Sequence, residues 1–174
     1  MIRPQGRFAF KALSMTFFLA VAYLFFKENG RKAKQKLFDL VKQPWLILFL
    51  LCLGYMFSCT IMGRYYTKPY KIVLGSFGIF NEKGTINSDL IANVIMFVPF
   101  TFLYLEAFNP ANPWKKSLLI SLITTLFFEV SQLIGWLGNF QIADIIHNVI
   151  GGMIGCIIWH VWEKLILRTI KRNA

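Results

Sequence analysis

Five long apolar blocks divide this sequence, and they constrain its fold more than any other feature. They span residues 8–26, 45–62, 90–108, 117–138 and 142–162. Each is close to the roughly 20 residues that an α-helix needs to cross a bilayer. Because 56% of the 174 residues are hydrophobic, a soluble domain of this size would have too little interior to bury them. We therefore predict an all-α integral membrane protein with about five transmembrane helices, forming a single domain over residues 1–174.

The distribution of Lys and Arg predicts the orientation of these segments. If the loop after the first block and the C-terminus are cytoplasmic, twelve of the 19 basic residues lie inside and seven outside. The positive-inside rule favours this arrangement, which describes a multi-pass membrane protein with a cytoplasmic C-terminus. The basic N-terminus conflicts with it, unless residues 8–26 form an uncleaved anchor that does not cross fully. The other four segments keep their orientation in either case.

The net charge of +11 predicts contact with lipid rather than with nucleic acid, because the basic residues flank the apolar blocks. Juxtamembrane Lys and Arg attract anionic lipid head groups at the cytoplasmic face. The first cytoplasmic loop fits a short basic helix lying on that surface, with an apolar face of Ala33, Leu37, Leu40 and Val41. All three cysteines, Cys52, Cys59 and Cys156, fall inside predicted spans. They are interpreted as small apolar residues, and no metal site or cofactor is expected.

Residues 63–89 form the longest loop, which the charge distribution places outside. The loop opens with mixed basic and aromatic residues, from Arg64 to Lys71. Two interpretations remain open. The loop is either an aromatic and basic anchor at the membrane interface, or a lid that contacts an anionic or sugar-bearing ligand.

Polar side chains interrupt the last three apolar blocks. A carboxylate at the centre of a membrane helix costs about 2.5–3.5 kcal/mol on insertion scales. A block made only of leucine would therefore insert with a more favourable free energy. At 1.5 Å per residue, these side chains lie in the outer half of the membrane, with Glu129 deepest at roughly 13 Å. Helical spacing places them on faces that can converge. We predict a polar cluster open to the outer leaflet, formed by Asn93, Glu129, Gln132, Asp144 and Asn148.

The same helices carry residues that favour close packing. In the last block, Gly151, Gly152 and Gly155 lie on the face of Asp144 and Asn148, and a small-xxx-small spacing lets membrane helices approach closely. Pro99 is expected to kink the third block and to free a carbonyl group near the level of the polar cluster.

Each polar residue also has a purely structural interpretation. Asn93 and Gln132 can be interhelical hydrogen-bonding residues, and Asp144 can be an interfacial residue at a helix start. His147 fits a head-group or packing role, and its function stays open. Since no Lys or Arg lies at its depth in the last two blocks, Glu129 is either protonated or paired with polar groups and water.

The order and spacing of three polar motifs resemble the VanZ-like family of bacterial membrane proteins over residues 86–160. The motifs are Asn93-x-x-x-Phe97-x-Pro99, Glu129-x-x-Gln132 and Asp144-x-x-x-Asn148-x-x-Gly151-Gly152. The family is named for a protein that confers low-level resistance to the glycopeptide antibiotic teicoplanin. The chain departs from the usual pattern at Thr101, Asn139, Gln141 and His147, and Asn139 stands where many members have an arginine.

The residues and the resemblance together favour a non-enzymatic protein that binds or shields a lipid-linked envelope precursor at the outer leaflet. One alternative is a membrane enzyme acting on a lipid head group or polyprenyl carrier, with Glu129 and Asp144 as acid and base. It is weakened by the lack of a nucleophile motif or an Arg and His set. Another is a small proton-coupled transporter using Glu129. The lack of a detectable internal repeat weakens it for a monomer, although a homo-oligomer could line a path.

Overall fold

The computed structural model describes residues 44–64, 72–73 and 88–173, and this part of the chain is mainly helical. The helices are α1 (Pro44–Phe57), continued by a π-helical turn (Ser58–Met62), α2 (Ser88–Phe108), α3 (Pro113–Gly135) and α4 (Ile142–Asn173). Two short strands, β1 (Ile72–Val73) and β2 (Phe140–Gln141), complete the described elements.

Within the described residues, four helical segments are long and apolar enough to cross a membrane. They are Pro44–Met62, Leu90–Phe108, Pro113–Gly135 and Ile142–Leu165. The predicted all-α membrane fold is thereby confirmed. The predicted segment 8–26 and the predicted basic helix with Ala33, Leu37, Leu40 and Val41 lie outside the described residues.

The ends of α3 differ from the predicted block 117–138 for identifiable local reasons. At the start, Pro113 occupies the first turn, where its missing N–H is not needed, and the Asn112 side chain accepts a 3.2 Å hydrogen bond from the Lys115 amide. At the other end, Trp136 adopts a left-handed conformation with φ of 57°. This conformation is typical of the residue that terminates a helix. The connection to α4 therefore begins at Trp136, still within the apolar block.

Four crossings return the chain to the side of the membrane on which α1 begins. The end of α1, the start of α2 and the α3–α4 connection consequently lie at one end of the bundle, which we call the site end. The α2–α3 connection and the last turns of α4 lie at the opposite end. At the site end, β1 pairs in parallel with β2, joining Ile72 to Phe140 and Val73 to Gln141.

Helices α2 and α4 make the most extensive interhelical contact, and glycines in α4 make it possible. A Cβ on Gly151 would collide with the main chain of Val94, and one on Gly155 with the Val98 carbonyl. A Cβ on Gly152 would instead meet the Ser121 hydroxyl of α3. The absence of side chains here brings the α2 backbone directly against α4, as small residues do in membrane helix pairs.

The remaining core is aromatic, and the outer surface is apolar. Phe49 of α1 contacts Phe100 of α2 at 5.4 Å between ring centroids, and Phe97 and Phe128 are buried with them. Large aliphatic side chains point outward, including Leu51 and Ile95, which are 65% and 62% exposed. Such a surface suits hydrocarbon rather than water.

Candidate functional site

Glu129 lies in α3, and its side chain is only 2% exposed. Its Oε2 atom accepts a 2.7 Å hydrogen bond from the main-chain N–H of Gln141, immediately before α4. Because α3 ends at Gly135, Glu129 is roughly 9 Å along the helix axis from that end, closer than the predicted 13 Å. The α3–α4 connection thus folds back onto the carboxylate and supplies it with a main-chain donor.

Two charged side chains lie near enough to Glu129 to act on it electrostatically. One is Asp144 in the first turn of α4, and the other is Arg64, which follows the π-helical turn after α1. Asp144 is half-buried, and its position also suits a carboxylate at a helix N-terminus. The carboxyl group of Glu129 therefore has both a basic and an acidic neighbour.

Gln132 lies one turn further along α3 and is also 2% exposed. Its Nε2 atom donates a 3.4 Å hydrogen bond to the main-chain carbonyl of Thr60 in the π-helical turn. Since a carbonyl oxygen can only accept, this contact determines which end of the amide faces Thr60. The other end, Oε1, is buried without a hydrogen-bond partner among the described residues.

Asn148 in α4 is 4% exposed and connects α4 to α3. Its Nδ2 atom donates a 2.8 Å hydrogen bond to the hydroxyl of Thr125, four residues before Glu129. The Asn148 Oδ1 atom and the Nδ1 atom of half-buried His147 are buried and, within residues 44–64, 72–73 and 88–173, make no hydrogen bond. Asn148 is thus aligned with the face of α3 that carries Glu129.

Of the two predicted residues in α2, Asn93 is half-buried and Pro99 is exposed. Asn93 precedes Val94, whose main chain contacts Gly151, so it lies near the level of the third turn of α4. Pro99 lies inside α2, which is a continuous helix from Ser88 to Phe108. Its side chain is exposed on the surface of the bundle. The carbonyl that it leaves without an i+4 donor belongs to Ile95, also on the exposed face.

Sequence reasoning missed the contribution of the first described helix. From the end of α1, Thr60 accepts a hydrogen bond from Gln132, and Arg64 lies near Glu129. From the sequence, Arg64 is predicted only as part of the loop 63–89. A guanidinium nitrogen of Arg64 also lies beside Gly138, 2.9 Å from where a Cβ would stand. The available signal was a polar Thr60 near the end of an apolar block, followed by a basic residue. A π-helical turn there is a frequent feature of functional sites.

The opposite end of the bundle also has polar groups, among them Glu106 of α2, which lies near Trp159 and Trp162, and His160 of α4. His160 Nδ1 lies 2.8 Å from the Cys156 carbonyl, and its ring stacks on Trp114 at 4.8 Å. Across the described part of the chain, no three His, Cys, Asp or Glu side chains are grouped to hold a metal ion.

The site end is rich in hydrogen-bond acceptors. Glu129, Gln132, Asp144 and Asn148 contribute carboxyl and amide oxygens there. Arg64 supplies the nearby positive charge. This composition suits noncovalent recognition of a ligand that donates hydrogen bonds.

The VanZ/LLP1 family profile matches residues 12–163, a longer stretch than the predicted core 86–160. Protein VanZ of Enterococcus faecium is 29% identical over 125 residues, which cover 72% of this chain and 71% of that protein. No solved structure shows a significant match. The helical, apolar structure and the family match together confirm the resemblance in the polar motifs: the chain is a multi-pass membrane protein that belongs to the VanZ/LLP1 family.

Proposed function

We propose that this protein binds or shields a lipid-linked component of the cell envelope at the outer leaflet and thereby lowers susceptibility to teicoplanin. The proposal depends mainly on one observation, the burial of Glu129, Gln132 and Asn148 together at the site end, each less than 5% exposed. Burying such groups in a membrane protein is costly. A binding role supplies a reason for their presence.

The arrangement of contacts supports binding rather than packing alone. If these residues served only to hold helices together, their polar atoms would be expected to pair with one another. Instead, Gln132 Oε1 and Asn148 Oδ1 are without partners in the described residues, although both side chains are buried. A buried acceptor without a partner gains free energy when a ligand supplies a donor.

The charge distribution supports an outward-facing site. With the C-terminus inside, the site end faces outward, and this orientation places twelve basic residues inside against seven outside. A glycopeptide antibiotic acts outside the membrane, so a protective site would have to be accessible from that side. Membership in the VanZ/LLP1 family is consistent with a role in resistance.

The test compares Glu129→Gln with a matched carboxylate at the other end of the bundle, Glu106→Gln. Glu106 is half-buried in α2 near Trp159 and Trp162, away from the site end. The minimal inhibitory concentration of teicoplanin, with vancomycin as a second antibiotic, is measured in a susceptible Gram-positive host expressing each form. Immunoblots of isolated membranes verify equal abundance.

Wild type and Glu106→Gln are expected to raise the inhibitory concentration of teicoplanin, and Glu129→Gln to return it to that of cells with an empty vector. If Glu129→Gln protected as well as wild type at equal abundance, the proposed role of this site would be rejected. If wild type gave no protection either, the resistance function itself would be rejected.

A further inference from the structure

The unpaired oxygen of Gln132 points to a specific kind of ligand group. Its amide orientation is determined by the hydrogen bond from Nε2 to the Thr60 carbonyl. Oε1 is therefore an acceptor, and it is buried with no partner in the described residues. An acceptor in this position requires a donor, because leaving it unpaired loses the hydrogen bonds that water provides in the unfolded chain.

A donor from the protein lies close to this acceptor. At Gly138, the position that a Cβ would occupy is 3.3 Å from Gln132 Oε1 and 2.9 Å from Arg64 Nη1. The amide oxygen and the guanidinium group therefore flank the same glycine. A guanidinium has five N–H donors, so Arg64 can hold a protein partner and a ligand oxygen at the same time.

A hydroxyl group fits this pair best, because a single hydroxyl oxygen can accept from Arg64 and donate to Gln132. An ammonium group has no acceptor for the guanidinium, and a fully ionised oxyanion has no donor for the amide oxygen. The carboxyl groups of Glu129 and Asp144 lie near the site and further disfavour a negatively charged group.

The position of the site indicates where such a hydroxyl would come from. Gly138 lies in the short connection between the spans Pro113–Gly135 and Ile142–Leu165. The ends of membrane spans lie at the depth of lipid head groups. A lipid with a sugar head group presents several hydroxyls at this depth and can also donate to the neighbouring acceptors.

We propose that Arg64, Gln132 and Gly138 form a hydroxyl-binding subsite that takes the sugar head group of a membrane lipid. The proposal rests on the proposed function and deepens it by naming the chemistry of the ligand. Gly138 allows the guanidinium of Arg64 to lie against the connection, beside the unpaired Gln132 oxygen.

The test uses the full chain in phosphatidylcholine nanodiscs and measures retained lipid by native mass spectrometry. The main probe is monoglucosyl diacylglycerol, compared with its fully O-methylated form, which keeps the sugar oxygens but has no donors. Phosphatidic acid tests an anionic head group, and free glucose tests a soluble sugar. We expect the glucosyl lipid to bind at least about tenfold more tightly than its methylated form, as the loss of a hydrogen bond at a buried acceptor predicts.

Two glycine substitutions provide a matched pair of variants. In Gly138→Ala the new methyl displaces the Arg64 guanidinium, a flexible side-chain end 2.9 Å away. In Gly54→Ala the methyl meets nothing within 4 Å. We expect Gly138→Ala to lose the tenfold preference and Gly54→Ala to keep it, with unchanged helix content by circular dichroism in both. Gln132→Met, which removes the acceptor, is expected to behave as Gly138→Ala.

Several outcomes would overturn the proposal. The first is equal retention of the glucosyl lipid and its methylated form by wild type, and the second is a Gly138→Ala protein that keeps the full preference for the glucosyl lipid. The third is phosphatidic acid binding more tightly than the glucosyl lipid, and the fourth is free glucose competing as effectively as the glucosyl lipid itself. A subsite filled by water alone would give the first of these results. If wild type lacks the preference but Glu129→Gln still abolishes teicoplanin protection, only the subsite fails. If the preference is present without protection, only the resistance function fails.

Discussion

At the scale of single residues, the buried amides serve two purposes at once. Gln132 joins α3 to the turn after α1 through Nε2, and Asn148 joins α4 to α3 through Nδ2. The oxygen of each amide has no partner among the residues that the structure describes. The structural and the ligand-binding interpretations of these amides are therefore compatible, because each uses a different atom of the same group.

The hydrogen bond between Asn148 and Thr125 predicts a measurable coupling. We expect the double-mutant cycle of Asn148→Leu and Thr125→Val to give an interaction free energy of about 0.6 kcal/mol and at most about 1.7 kcal/mol, the range found for hydrogen bonds between membrane helices. The free energy of unfolding is measured by titrating mixed micelles with SDS. Strictly additive effects of the two substitutions would show that the 2.8 Å contact contributes no coupling.

At the scale of elements, the end of α1 explains how distant parts of the sequence meet. The last carbonyl groups of a helix have no partners within it. Thr60 lies in the π-helical turn that ends at Met62, and its carbonyl accepts from Gln132 of α3. The Thr60 hydroxyl meanwhile donates a 2.6 Å hydrogen bond to the Met56 carbonyl of its own helix. The turn is thus held against α3, and Arg64 follows it after a single residue, Gly63.

The glycine face of α4 gives a second prediction at this scale. Gly151→Ala is expected to destabilise the bundle by about 1–3 kcal/mol, as overpacking does, because the new methyl would collide with the Val94 main chain. A backbone cannot rotate away as a side chain can. The midpoint of SDS-induced unfolding is the measurement.

Gly54→Ala serves as the control, since its methyl would lie in open space, and alanine favours a helix over glycine by roughly 1 kcal/mol. Its unfolding midpoint is expected to equal or exceed that of wild type. A Gly151→Ala protein as stable as Gly54→Ala would contradict the close contact of α2 and α4.

At the scale of the whole molecule, charge distribution and the four crossings predict which end faces outward. We expect Asn139→Cys, in the α3–α4 connection, to react with a membrane-impermeant maleimide in intact cells. Ala111→Cys, in the α2–α3 connection, is expected to react only after the cells are permeabilised. The labelling is done with Cys52, Cys59 and Cys156 replaced by alanine, so that only the introduced thiol reacts. The reverse pattern would place the polar site at the cytoplasmic face.

The helices themselves could be predicted closely from the sequence. Predicted blocks 45–62, 90–108 and 142–162 differ from the spans Pro44–Met62, Leu90–Phe108 and Ile142–Leu165 by at most three residues at either end. The reason is that the cost of exposing backbone groups to lipid acts on each apolar run separately. The larger difference is at the start of α3, which begins four residues before the predicted block, at Pro113 and its Asn112 cap. At the other end α3 stops three residues before the block ends, because Trp136 leaves the helix for a left-handed conformation while the chain is still apolar.

The sequence by itself determined the class of protein, the family and the apolar helices, and it identified Glu129, Gln132 and Asn148 as buried groups that need a reason. Only the tertiary structure brought Arg64 and Thr60 to those residues and folded Gln141 onto Glu129. The physical reason is that hydropathy is set locally along the chain. By contrast, a hydrogen bond between Thr60 and Gln132, 72 residues apart, depends on how helices pack side by side.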